Sequence, residues 1–177
     1  DIDPAFRFPT QLTSLGLDGH NAVDIAAVTR LTRLQELNIE LPENENPLDL
    51  SGLTALTKLF TDILPVSRFP TSIVEYRVSL CSVTDLSFLT NLTSLSLSLE
   101  WGTRVTFPTG LKKLVINGGK LSDSNIGAVS LEYLEMWGSP VTHDDLAKLP
   151  KTLRMIDGLF YPESLKEHLG ETFPLLE

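Results

Sequence analysis

Apolar positions recur along this chain in one short pattern. Leu12-x-x-Leu15-x-Leu17, Leu34-x-x-Leu37-x-Ile39 and Leu92-x-x-Leu95-x-Leu97 are the clearest copies. Aligned on the first apolar residue, the copies start at Leu12, Leu34, Leu56, Ile73, Leu92, Leu111, Leu131 and Leu153, in steps of 22, 22, 17, 19, 19, 20 and 22 residues. The second anchors are Leu15, Leu37, Leu59, Tyr76, Leu95, Leu114, Leu134 and Ile156. The third are Leu17, Ile39, Thr61, Val78, Leu97, Ile116, Met136 and Gly158. Apolar and variable residues alternate across each core, which is the period of a half-buried strand. One such strand cannot bury its apolar face alone. Fixed-period repetition therefore predicts stacked turns with strands paired in parallel around a continuous core.

The segments between cores are of two kinds. Asp24 to Leu31, Asp49 to Leu56 and Asp85 to Leu92 each begin with Asp and then space apolar residues three or four apart. Asp is a good N-cap, so this pattern predicts one or two turns of helix. Thr142-x-x-Asp145, ahead of Leu146 and Leu149, has the form of a capping box with Asp in place of Glu. The second kind contains proline: Phe8-Pro-Thr, Phe69-Pro-Thr, Phe107-Pro-Thr and Leu149-Pro-Lys-Thr. Proline disfavours helix in the residue before it, so these segments are expected to be extended.

The segments Asp49-Leu-Ser-Gly-Leu-Thr-Ala-Leu-Thr-Lys-Leu59 and Asp85-Leu-Ser-Phe-Leu-Thr-Asn-Leu-Thr-Ser-Leu95 resemble the 22-residue class of leucine-rich repeats, the class of the phosphatase-regulator and internalin types. The proline segments look more like the short, extended class. The resemblance runs over roughly residues 8 to 177. It implies an α/β fold, a curved leucine-rich-repeat solenoid. Parallel strands would line its concave face, and short helices or extended segments its convex face. The ninth repeat position departs from that class, which favours Asn or Cys there. Here it holds His20, Pro42, Leu64, Cys81, Glu100, Gly119, Ser139 and Tyr161, so less regular turns are expected. Leu153-Arg-Met-Ile-Asp-Gly158, Ser164 to Leu169 and Phe173-Pro-Leu-Leu-Glu177 resemble the C-terminal cap of intracellular eukaryotic leucine-rich-repeat proteins. The resulting division is residues 1–11 as an N-terminal cap or trimmed start, 12–152 as repeats, and 153–177 as the last repeat and cap.

Composition narrows the class of partner. The chain has 177 residues and a formal net charge of -9, with a pI near 4.8. Such a surface repels phosphate backbones and anionic membranes, so neither nucleic acid nor membrane is an expected partner. No apolar run is long enough to span a bilayer, and the start, Asp1-Ile2-Asp3, is acidic rather than basic. Cys81 is the one cysteine, so no internal disulfide forms. That fits a reducing compartment, cytoplasmic or nuclear, with secretion as the alternative.

Motifs that carry chemistry are missing. His20, His143 and His168 have no metal-ligand spacing, and no Ser lies in a G-x-S-x-G elbow. Gly118-Gly119 lacks the G-x-x-x-x-G-K of a phosphate loop. Cys81, at the ninth position, reads as a buried thiol rather than a nucleophile. The sequon Asn91-Leu-Thr93 overlaps a core anchor. No cofactor, no metal and no enzymatic activity are expected.

Specificity then falls to the variable strand positions, which point away from the core. Asp18, Glu40 and Asp62 occupy equivalent positions in successive repeats, with Glu36 nearby. Parallel neighbours lie about 4.8 Å apart, so the carboxylates are expected to form a row. The row reads either as the solvated face of an acidic protein or as a dock for a basic segment. Tyr133, Glu135 and Trp137, with Met155, Leu159 and Phe160 on the next repeat, form an aromatic group. These residues are either covered by the cap or open as binding anchors. Phe60 and Arg77 form a further pair. The expected function is a non-catalytic protein–protein interaction module. Its partner-binding residues would be Asp18, Glu36, Glu40, Phe60, Asp62, Arg77, Tyr133, Glu135 and Trp137. The alternatives are a secreted or surface adhesin or effector of a pathogen, and the targeting domain of a larger enzyme.

Overall fold

The alternating cores do form strands in a computed structural model of the chain, which describes residues 8–17, 25–40, 48–63, 66–81, 85–99, 103–119, 121, 124–138, 142–158 and 173. The chain divides into two compact units, Asp1–Ser79 and Leu80–Glu177.

In the first unit the elements are β1 (Ser14–Leu17), α1 (Ile25–Val28), β2 (Glu36–Ile39), β3 (Leu48–Asp49), β4 (Lys58–Ile63), β5 (Val66–Arg68) and β6, which begins at Glu75 and runs to Cys81. The main sheet has the order β1-β2-β4-β6. Parallel pairing sets Leu15 beside Leu37 and Leu37 beside Leu59, so equivalent anchors are direct neighbours. A second, two-stranded parallel sheet, β3–β5, closes the back of these turns, with Leu48 opposite Val66. In the second unit β7 (Ser94–Leu99), β8 (Lys113–Gly118), β9 (Tyr133–Trp137) and β10 (Met155–Asp157) pair in parallel in that order. Between them lie a 3-10 turn, Ile126–Ala128, and α2 (His143–Lys148). Each unit is thus a parallel-strand solenoid.

The core is the anchor column. Leu34, Leu37, Leu56, Leu59, Ile73 and Tyr76 in the first unit, and Leu92, Leu95, Leu111, Leu114, Leu131, Leu134 and Leu153 in the second, are buried almost completely. Removing each from water stabilises the fold by about 1.5–3 kcal/mol. Thr61 is the odd third anchor, and it lies buried with its Oγ1 3.4 Å from the Tyr76 hydroxyl. The polar atoms at these two anchor positions satisfy each other, and the Tyr76 ring meets Phe69 edge-on at 5.4 Å.

The return segments correct one expectation. Residues 49–56 and 85–92 form no helix. Asp49 instead accepts hydrogen bonds from the Ser51 amide (2.9 Å) and hydroxyl (2.6 Å), and Asp85 accepts one from the Ser87 amide (2.9 Å). Linked turns follow, with Leu53 N–H to Leu50 C=O, Leu56 to Leu53, Leu89 to Leu86 and Leu92 to Leu89, each at 2.9–3.0 Å. A spacing of three suits such turns better than a 3.6-residue helix, because it returns each leucine to the same face. Leu50, Leu53 and Leu56 are accordingly all buried, as are Leu86, Leu89 and Leu92. The Asp caps a turn rather than a helix. Among the described residues the helical elements are α1, α2 and the 3-10 turn, with one further 3-10 residue at Leu121. The capping box of α2 forms as expected: Thr142 N–H donates to Asp145 Oδ2 (2.9 Å), and Asp145 N–H donates to Thr142 Oγ1 (3.3 Å).

The proline segments share one device. The amides of Leu12, Ile73, Leu111 and Leu153 each donate to the carbonyl of the proline three residues earlier, Pro9, Pro70, Pro108 and Pro150. Each anchor therefore starts immediately after a proline turn. In the second unit Asn125 lies beside one of these segments. Its Oδ1 accepts from the Phe107 amide (2.7 Å) and its Nδ2 donates to the Phe107 carbonyl (2.9 Å). One side-chain amide thus takes the place of a strand partner.

Three left-handed glycines also tighten the second unit, Gly118 and Gly138 at equivalent repeat positions and Gly158 at the position of Met136. Gly118, Gly138 and Gly158 follow one another at 20-residue intervals with φ of 77°, 72° and 70°. A Cβ on Gly118 would lie 2.4 Å from the Leu99 carbonyl oxygen, and one on Gly158 would lie 2.6 Å from that of Met136. At Gly118 and Gly158 the chain therefore passes close over a carbonyl of the preceding strand, in a left-handed conformation that favours glycine. Of the C-terminal cap motif, Phe173 is buried and Lys151 Nζ stands 5.3 Å from its ring centre. The proposed cap segment Ser164–Leu169 and the N-terminal residues 1–7 lie outside the described residues.

Candidate interaction surface

The variable positions of the strands form an outward face in each unit. In the first, parallel register places Asn38 beside Phe60, and Glu36 beside Lys58. Lys58 Nζ is 4.0 Å from Glu75 Oε2. The row Glu36–Lys58–Glu75 therefore alternates in sign, so Glu36 does not extend the acidic row. That row comprises Glu40, which is exposed, and Asp62, which is half-buried. Asp18 lies outside the described residues. Asp62 Oδ1 accepts a hydrogen bond from Ser79 Oγ at 3.1 Å. The Arg77 guanidinium lies 5.3 Å from the centre of the Phe60 ring, within cation–π range. The pair seen in the sequence is therefore a physical contact. Glu36, Asn38, Phe60, Thr61, Asp62, Arg77 and Ser79 enclose an open depression of about 280 Å³. That is at the small end for an organic ligand, and large enough for one protein side chain.

In the second unit β9 carries the aromatic group. Tyr133, Glu135 and Trp137 occupy alternate positions and share one face. Trp137 Nε1 donates to Glu135 Oε1 and the Tyr133 hydroxyl donates to Glu135 Oε2, both at 2.8 Å. The carboxylate is clamped between two aromatic donors. These bonds, that from Trp137 foremost, hold the Glu135 carboxyl below its ordinary pKa. The same contact pushes the Tyr133 phenol up, because losing its proton would set two negative charges face to face. Lys113 Nζ stands 4.8 Å from the centre of the Tyr133 ring.

Trp137 is 44% exposed, yet its ring is both hydrogen-bonded and packed. A Cβ on Gly158 would fall 2.9 Å from indole Cε2, so the glycine backbone packs directly on the ring. Met155, 45% exposed, lies opposite Tyr133 in register, and Asp157 lies opposite Glu135. Leu159 and Phe160, the other expected members, lie outside the described residues.

No protein-family model matches the chain, and no curated protein matches it.

Sequence reasoning found the aromatic strand and the Phe60–Arg77 pair. It placed Lys58 and Lys113 at outward positions and Gly158 at a third anchor without assigning them a contact; their contacts follow from register between repeats distant in sequence. Among the described residues no group of three or more His, Cys, Asp or Glu could hold a metal ion. Of the histidines, His20, His168 and the His143 side chain lie outside the described part, as does the Cys81 side chain. No described helix is long and apolar enough to cross a membrane.

Proposed function

We propose that this chain is a non-catalytic protein-interaction module of the leucine-rich-repeat kind, and that it grips its partner through the outward faces of its strands. The carrying observation is the Tyr133–Glu135–Trp137 clamp. Exposed tryptophan and tyrosine are the side chains most often responsible for binding energy at protein interfaces. Ordering a free side chain on binding costs about 0.5–1.5 kcal/mol, and the contacts of Trp137 with Glu135 and Gly158 reduce that cost. Met155 and the apolar part of Tyr133 extend the surface around it. The acidic face of the first unit would favour a partner with a basic segment, raising the rate and selectivity of encounter. A reducing compartment suits a chain with a single cysteine.

The test is affinity capture from the native source with the wild type, Trp137→Ala and Phe88→Ala. Phe88 is 54% exposed but belongs to a return segment rather than a strand. A partner retained by wild type and Phe88→Ala, and bound at least about 30-fold more weakly by Trp137→Ala when titrated in purified form, supports the reading. Equal affinity of all three forms would remove its basis.

A further inference from the structure

We draw no further inference here: the strongest candidate, the outer edge of β1 with its half-buried anchors Leu15 and Leu17, pairs with no second strand among the described residues, and nothing in the structure shows what covers it.

Discussion

Replacing Gly118 by alanine tests how the second unit is held together. Two costs add. An L-residue forced to φ near 77° carries about 1–2 kcal/mol of steric strain. The new methyl would also lie 2.4 Å from the Leu99 carbonyl oxygen, a backbone atom that cannot swing aside. Relief requires β8 to move from β7 near its end, weakening a ladder hydrogen bond worth about 0.5–1.5 kcal/mol. Alanine returns about 0.4–1 kcal/mol by restricting the unfolded chain. The net expectation is a loss of about 2 kcal/mol. Gly110 is the internal control. It immediately precedes the first anchor of that repeat, Leu111, has no positive φ, and a Cβ there would make only an ordinary 3.6 Å contact with Thr90 O. Gly110→Ala should be neutral or stabilising by up to about 1 kcal/mol. Urea unfolding followed by far-ultraviolet circular dichroism gives both values, with m unchanged if the folded and unfolded states are otherwise the same. If Gly118→Ala were less than about 1 kcal/mol below Gly110→Ala, the close crossing would not be a constraint on the fold.

Two further predictions concern polar contacts of the second unit. Glu135 is depressed by Trp137 and Tyr133, so its stabilisation is complete above the ordinary carboxylate pKa of 4.5 and is lost as pH falls through the lower folded value. Tyr133 is raised, so its contribution holds below 10.0 and is lost as pH rises through the higher folded value. Glu135→Gln should flatten the acid arm and bring the Tyr133 titration, followed by ring-carbon NMR, down towards 10.0; an unmoved Tyr133 titration would contradict the clamp. Asn125→Ala should cost about 1–3 kcal/mol and speed exchange of the Phe107 amide, whose 2.7 Å partner disappears. Unchanged exchange at that amide would show the bridge to be dispensable.

Much of the architecture was legible before any coordinates. Leu12, Leu34, Leu92 and their counterparts each stand two residues ahead of a strand, and they were legible because the alternation of buried and outward positions is a property of the local backbone. The Thr142–Asp145 box was legible for the same reason: its donors and acceptors lie three residues apart. The helices expected over 49–56 and 85–92 failed on a fine distinction. Leucines three apart fit linked turns as well as the first turns of a helix, and Asp49 or Asp85 can cap either. At Asp49 the strand pairing of β3 with β5 accompanies the turns rather than a helix.

The outward face divides along the same line. That Tyr133, Glu135 and Trp137 share a side follows from alternation alone. That Glu135 is gripped by both rings, and that Gly158 lies against the indole, depends on side-chain torsions and on the crossing of the next turn. The place of Lys58 between Glu36 and Glu75 follows from the repeat alignment, yet its ion pair with Glu75 appears only in the structure. The sequence by itself determined the repeat, the strands and the residues turned outward, because these follow from periodicities of two and about twenty residues. Tertiary structure alone decided which outward residues meet, since a contact across parallel strands joins residues about twenty positions apart whose distance is set by stacking.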